Sequence, residues 1–462
     1  MSRLDFSSSS FVTPSSNKRQ RRGRASLYEE VVDFGIGTNN ADELADKRTE
    51  ESTKNNYRSK VKQLVAFLKT NAIECINEND EIIVPLPLPQ MKAFFGRLCQ
   101  EALRRLKLNS ADELNEDDED VFSISHISTF RAAIVDLYRK QSKRLEPDLD
   151  KELKNILDGY KKIINKLKQR GLMKLHEGKR EISNAGYQLL AQKFVGKVPA
   201  RNGGTWSSVT FAWTFFVLLW NLMSRSDSVD KLTLNVISWE GDALIIEEQG
   251  HKGDEKGENN IRKHIYANPY EPWICPILST AVLVFCAGVR TAGREKLFNG
   301  TDSKKRFGDI LRELVRSLSE AEIQVLACLA DEVGCHSTRK GSCTYCLGQV
   351  AGPTPVSVFL RMGQTLGQLK DRYVHHGEGA DQLCGRMVCG LPFDTEVFGT
   401  LPPHFVRTTL DELNSEFWCD IAPGYDCYPL GFKTTFPFLL ASLFYHEPYL
   451  RLNMSPKKSS II

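Results

Sequence analysis

Four residue types occur between positions 225 and 373 of this 462-residue chain in an order suited to work on a phosphodiester. Arg225 follows the apolar run in "LLWNLMSRSDSVDKL", and Lys252 lies in "IIEEQGHKGD". His336 and Arg339 stand three apart in "HSTRKG", on one face of a helix. Tyr373 closes "RMGQTLGQLKDRY". Two guanidinium forks and an imidazole match the non-bridging oxygens of a phosphorus centre that gains charge in a pentacovalent state. A tyrosine hydroxyl can attack phosphorus and leave a covalent phosphotyrosine that stores the bond for rejoining. The departing 5′ oxygen then needs a proton, which a lysine on a hairpin can supply. Gln364 stands nine positions before Tyr373. No Asp/Glu grouping has the pattern of a catalytic magnesium site, so the expected chemistry uses neither metal nor cofactor.

Taken singly, each residue has an ordinary explanation. Arg225 could cap the C-terminal carbonyls of its helix. Lys252 could be a turn lysine, the HxxR pair a coincidence, and Tyr373 a half-buried packing residue with a wet hydroxyl. Cys335, Cys343 and Cys346 contain a CxxC, but "CGRMVC" has the wrong gap for the second half of a zinc site. The twelve cysteines are otherwise scattered, as reduced core thiols are.

The elements that must position these side chains fall into successive regions. Residues 1–45 lack hydrophobic periodicity and read as a disordered, Ser-rich tail. This tail holds "KRQRRGR" (Lys18 to Arg24), a nuclear import signal or a nucleic-acid-binding arm. From Tyr57 onward apolar residues recur at three- and four-residue steps, with Ser52 or Thr53 as a cap. "PQMKAFFGRLCQEALRRL", "SHISTFRAAIVDLYRKQ" and "KELKNILDGYKKIINKLKQRG" predict further helices, giving an all-α domain over 46–165. A basic linker follows over 166–182. The stretch from Lys161 to Arg180 carries eight Lys/Arg against one Glu, which suits a solvated helix face or a connector crossing a phosphate backbone. Its basic residues are Lys161, Lys162, Lys166, Lys168, Arg170, Lys174, Lys179 and Arg180.

Beyond it, "TWSSVTFAWTFFVLLWNLM" reads as a buried helix, while "LTLNVISWEGDALIIEEQGHKGD" alternates and turns like strands. "CPILSTAVLVFCAGV" and "FGDILRELVRSLS" return to helix. The fold class expected is therefore mainly α with a small antiparallel β-sheet, with a second domain over 183–380. Residues 381–462 form a Pro- and Phe-rich extension, to be packed in its own domain or docked on another protomer.

Composition narrows the function classes. The 41% apolar and 26% charged residues are those of an ordinary soluble, intracellular protein of two or three domains. The longest apolar run, "FAWTFFVLLWNLM", spans 13 residues, short of the roughly 20 that cross a bilayer. The net charge of +3 is uninformative, unlike its clustering. The acidic loop near Asp117 has no role that its residues argue.

The order Arg, Lys, His-x-x-Arg, Tyr resembles the catalytic domain of the tyrosine recombinases (phage-integrase family), and most closely the eukaryotic Crypton-type transposon recombinases. The likeness covers about residues 50–380. Arg225 matches the family's first arginine with Leu232 seven residues on, and Lys252 its hairpin lysine. His336 and Arg339 match the HxxR box, and Tyr373 matches the nucleophile. "CPILSTAVLVF" is similar to the start of the helix that follows the sheet. Gln364 in "MGQ" stands where the family has His or Trp, and Ser228, next to Asp227, stands where it has an acidic residue. The resemblance implies a core-binding domain before the catalytic one, double-stranded DNA as the partner, a tetramer assembled on it, and a nuclear location. It implies a site-specific recombinase or transposase-like enzyme working through a 3′-phosphotyrosine. The alternatives are a domesticated recombinase that binds DNA without cutting it, and a type IB topoisomerase-like relaxing enzyme.

Overall fold

The computed structural model describes residues 34–110, 113, 120–175, 178–196, 206–248, 261–286, 291–364 and 377–453. The chain divides into two units, Met1–Glu177 and Gly178–Ile462.

The first unit is helical. α1 (Phe34–Lys47) and α2 (Glu51–Asn71) are followed by α3 (Leu88–Leu98), α4 (Gln100–Leu106), α5 (Ile124–Lys140) and α6 (Pro147–Gln169). Neither Ser52 nor Thr53 caps α2, because the helix already begins at Glu51. The single helix expected over "PQMKAFFGRLCQEALRRL" divides at Cys99. Phe94 packs edge-on against Phe67, Phe95 and Phe130, where the apolar stripes of α2, α3 and α5 meet. α6 carries the most regular stripe, Leu153, Leu157, Tyr160, Ile164 and Leu167, all buried.

That stripe corrects the expected linker. The basic count suggested a connector from 166, but α6 continues through Gln169, and Leu167 and Leu172 are buried in the first core. Burying an apolar residue every turn outweighs the repulsion among exposed lysines, so the helix keeps its course.

The second unit is built around α8 (Trp206–Leu222), whose described side chains are almost all buried. A helix apolar all round belongs in an interior. α7 (Asn184–Gly196) packs beside it, and α9 (Ser226–Asp230) follows it. Strands β1 (Ile237–Glu240), β2 (Ala243–Glu248) and β3 (Ile261–Ile265) then form an antiparallel sheet in the order β1-β2-β3. Glu240 pairs with Ala243, so Gly241 and Asp242 make the two-residue turn. The left-handed φ of 57° at Gly241 is what such a turn demands. Leu244, Ile246 and Ile265 join the main core, while Ala243 and Ile245 pack with Tyr266, Cys389 and Leu391 on the other face. Residues 249–260 between β2 and β3, among them the expected hairpin lysine Lys252, lie outside the described residues.

Helices α10 (Pro276–Cys286), α11 (Ser303–Arg316), α12 (Glu320–Leu326), α13 (Cys335–Leu347), α14 (Pro355–Arg361) and α15 (Glu378–Val388) complete the expected catalytic region. The architecture is thus mainly helical with one small antiparallel sheet, as expected. Beyond α15 come α16 (Arg407–Glu412), α17 (Ser415–Ile421), α18 (Leu430–Lys433), α19 (Phe436–Tyr445) and α20 (Glu447–Asn453). Trp418, Phe432, Phe436, Leu439 and Leu450 enter the same core as α8, so residues 381–453 are an integral part of this unit rather than an appendage to it. α15 lies so close to β3 that a Cβ on Gly385 would sit 2.3 Å from the His264 carbonyl oxygen.

His446, at the C-terminal end of α19, is buried, and its Nε2 has no hydrogen-bond partner among the described residues. Burial pushes its imidazole from 6.5 down to about 4. The folded state therefore binds fewer protons than the unfolded chain between those values. Its contribution is complete above pH 6.5 and is lost as the pH falls toward 4, by about 3 kcal/mol in full. Urea titrations across this range should show the second unit weakening steadily, with the slope against pH flattened in His446→Leu.

Candidate functional site

Arg225 owes its position to how α8 ends. Met223 takes a left-handed φ of 51° directly after the helix, though it is neither Gly nor Asn and is fully buried. Such a conformation persists only where its surroundings over-determine it. Here the last carbonyls of α8 are held by two buried cations from distant elements. Lys263 Nζ on β3 donates to Leu222 O at 2.9 Å, and Arg361 Nη2 on α14 donates to Asn221 O at 2.8 Å. Lys263 also donates to Ser224 Oγ (2.7 Å) and Glu248 Oε2 (2.8 Å), and Ser224 donates to the other carboxylate oxygen. The chain then extends through Arg225 (φ −73°, ψ 149°), which is the N-cap of α9. Capping α8 is therefore not the task of Arg225. Among the described residues its guanidinium has no hydrogen-bond or ion-pair partner, and it is half-buried.

His336 and Arg339 lie in the first turns of α13, and the rest of "HSTRKG" anchors that helix. The connector at 179–182 runs along it: Ile182 N donates to Ser337 O at 3.4 Å, and Lys340 Nζ donates to Lys179 O. A Cβ on Gly341 would stand 2.4 Å from Ile182 O and 2.9 Å from the Trp220 ring. Only glycine lets α13 approach this closely.

Arg339 reaches inward and is buried, with Nη2 donating to Met362 O at 2.7 Å. That carbonyl belongs to the turn ending α14. Gly363 adopts φ 66°, its N–H bonds Leu360 O, and Gln364 N–H bonds Phe359 O at 2.9 Å. The "MGQ" motif is thus a helix stop that offers one carbonyl to Arg339 and turns the exposed Gln364 outward.

The electrostatics follow from this crowding. Burial, then the charge of Arg225, push the Arg339 guanidinium down to about 10, against the opposing pull of Glu248, so it stays charged at neutral pH. The His336 imidazole is pushed below its ordinary value by partial desolvation and by the cations Lys304, Arg339 and Arg225, with Asp227 opposing. It is held neutral at pH 7. Burial brings Lys263 down to about 8 despite Glu248.

A second buried pair underpins the first. Arg361 Nη1 meets Asp381 Oδ1 at 2.5 Å with both side chains fully buried, and Arg361 Nη2 also donates to His264 O at 3.0 Å. Asp381 Oδ2 accepts from His264 N (2.7 Å) and lies 2.9 Å from His264 Nδ1. Burial alone would raise the Asp381 carboxyl, but Arg361 and the His264 bonds hold it at about 2.

The structure thus gathers Arg225, His336 and Arg339, with Gln364 two residues past the carbonyl that Arg339 holds. Tyr373 and Lys252 lie outside the described residues. Of the expected phosphate-tracking residues, Lys161, Lys162 and Lys166 line the exposed side of α6, with Lys161 paired to Asp158 at 2.8 Å. Lys168, half-buried, is in the same helix, and exposed Lys174 follows it. Arg170 donates to Leu106 O and Leu108 O, Lys179 Nζ to Asp331 O at 2.6 Å, and the Arg180 amide to Glu332 O. Cys335, Cys343 and Cys346 are free thiols of α13. No group of three metal-ligating side chains occurs among the described residues.

Sequence reasoning missed Lys263, Glu248, Arg361 and Asp381. One signal was present: in "IRKHI" the alternation that buries Ile261 and Ile265 also buries Lys263.

No family model matches the chain, and no curated protein matches it. Among solved structures it aligns with one described as "Ndc10: a platform for inner kinetochore assembly in budding yeast". That alignment has 12% identity, covers 87% of this chain and 93% of that one, and has a TM-score of 0.28.

Two substitutions test this framework by chemical denaturation. Arg361→Met strands the Asp381 carboxylate and should cost the second unit about 3–5 kcal/mol, much of it regained when Asp381→Leu is added. Gly341→Ala should cost about 1–3 kcal/mol, because backbone and a core tryptophan must both move.

Proposed function

We propose that the second unit cleaves and rejoins DNA strands as tyrosine recombinases do, with the helical first unit as a further contact to the duplex. One observation carries the reading: Arg225, His336 and Arg339 converge while the Arg225 guanidinium is left without a carboxylate among the described residues. An arginine left without a carboxylate beside a second arginine favours an anion, and paired forks suit the tetrahedral oxygens of a phosphate.

In this reading the Tyr373 oxygen attacks the scissile phosphorus as the bond to the 5′ oxygen breaks. Arg225 and Arg339 take up the charge that develops on the two non-bridging oxygens. Neutral His336 can accept the tyrosine proton, and Lys252 protonates the leaving 5′ oxygen. The 3′-phosphotyrosine is reversed by the mirror-image attack of a 5′ hydroxyl, so no high-energy cofactor is consumed. Strand exchange between two duplexes calls for four protomers, and "KRQRRGR" supports a nuclear location for such work.

A second reading, DNA binding without cleavage, is favoured by one feature. Gln364 donates a hydrogen bond but carries no charge, so the transition state has one cation fewer than where a protonated histidine stands.

Covalent trapping separates the two. Cells expressing tagged protein are lysed in SDS, and protein-linked DNA is recovered and sequenced. The first reading expects adducts from the parent chain and none from Tyr373→Phe, with Arg225→Ala reducing yield on the order of 100-fold. Native DNA binding with no adduct from the parent chain would establish the second.

A further inference from the structure

Lys304 belongs to none of the motifs above, yet it stands at the same place. It lies in the first turn of α11, one residue before Lys305. Its ammonium is 2.7 Å from Asp227 Oδ1, two residues past Arg225. α11 also lies against the start of α13, since a Cβ on Gly308 would sit 3.8 Å from Cys335 Sγ, beside His336. Lys304 therefore bridges the two segments that carry Arg225 and His336. Its field acts on His336 more strongly than those of Arg339 or Arg225.

The pairing with Asp227 is a weak reason for such placement. The two side chains are 44% and 57% exposed. An ion pair that wet adds little to stability and is readily exchanged for a stronger partner. A phosphate oxygen is such a partner, because its contact with lysine also releases condensed counterions.

We propose that Lys304 is an additional phosphate-contact residue of this site, which Asp227 holds in readiness. When DNA binds, the ammonium leaves Asp227 Oδ1 and donates to a backbone phosphate oxygen at the cluster of Arg225, His336 and Arg339. This rests on the DNA reading above.

The test uses the full chain and a mixed-sequence duplex, with affinity measured across salt concentrations. Lys304→Ala should weaken binding on the order of fivefold and flatten the slope of log K against log salt by about 0.9. Lys304→Arg should retain both. A purely structural role is separated by repeating the comparison in an Asp227→Asn background, where no ion pair exists to lose. There the Lys304→Ala effect on slope should persist, with Lys304→Gln as a near-isosteric check on folding. Parent-like slope and affinity for Lys304→Ala in that background would overturn the proposal while leaving the DNA reading intact. A parent chain that binds no duplex at any salt concentration would overturn both.

Discussion

The arrangement in the second unit hangs on the buried ion pair between Arg361 and Asp381. One guanidinium touches three elements: the Asp381 carboxylate on α15, the Asn221 carbonyl ending α8 and the His264 carbonyl on β3. Taking both charges out of water is costly, and the geometry offsets that cost only because Asp381 also accepts from His264 and Arg361 spreads its donors over three acceptors. Such a pair adds little net stability over an apolar substitute, but it tolerates few alternative arrangements. It therefore sets where α8 stops, and the backbone of Arg225 follows three residues later.

Lys263 and Glu248 repeat the device at the neighbouring carbonyl of Leu222, tying the facing ends of β2 and β3 to the same helix end. Arg339 continues it on the far side by holding the carbonyl of Met362, next in chain to Arg361. The polar interior thus forms a continuous path from β3 through the end of α8 to the stop of α14. Each cation along it donates inward to a carbonyl or a carboxylate. Arg225 and His336 are left at the outer end without partners among the described residues.

That surface collects positive charge against local preference. Lys304 lies in the first turn of α11, where the macrodipole favours anions, and neutral His336 takes the same place in α13. Burial first, and then repulsion from neighbouring cations, push the His336 imidazole and the Arg339 guanidinium below their ordinary values. A fold that keeps cations where they repel one another has a use for a compensating anion, and this is the physical content of the functional proposal.

How much of this was legible in the residues depends on range. Periodicity of 3.6 revealed the amphipathic helices, because a stripe is a local pattern that burial rewards wherever it packs, and the continuous apolar run "FAWTFFVLLWNLM" revealed an interior one. The turn at Gly241 and the spacing of His336 and Arg339 are local in the same sense. The ends of elements were less legible. α6 overran the expected linker because Leu167 and Leu172 bury against residues far away in the chain, which no charge count registers. The aromatics after residue 380 were ambiguous for the same reason, and only their packing against α10 and β1 made them part of the second unit. Lys263, Arg361 and Asp381 resemble surface residues until partners 20 to 140 positions away meet them. The sequence by itself determined which residue types were available and the periods they follow. Tertiary structure decided which charges are buried in pairs and which are left facing outward, because that depends on contacts between segments with no local signature.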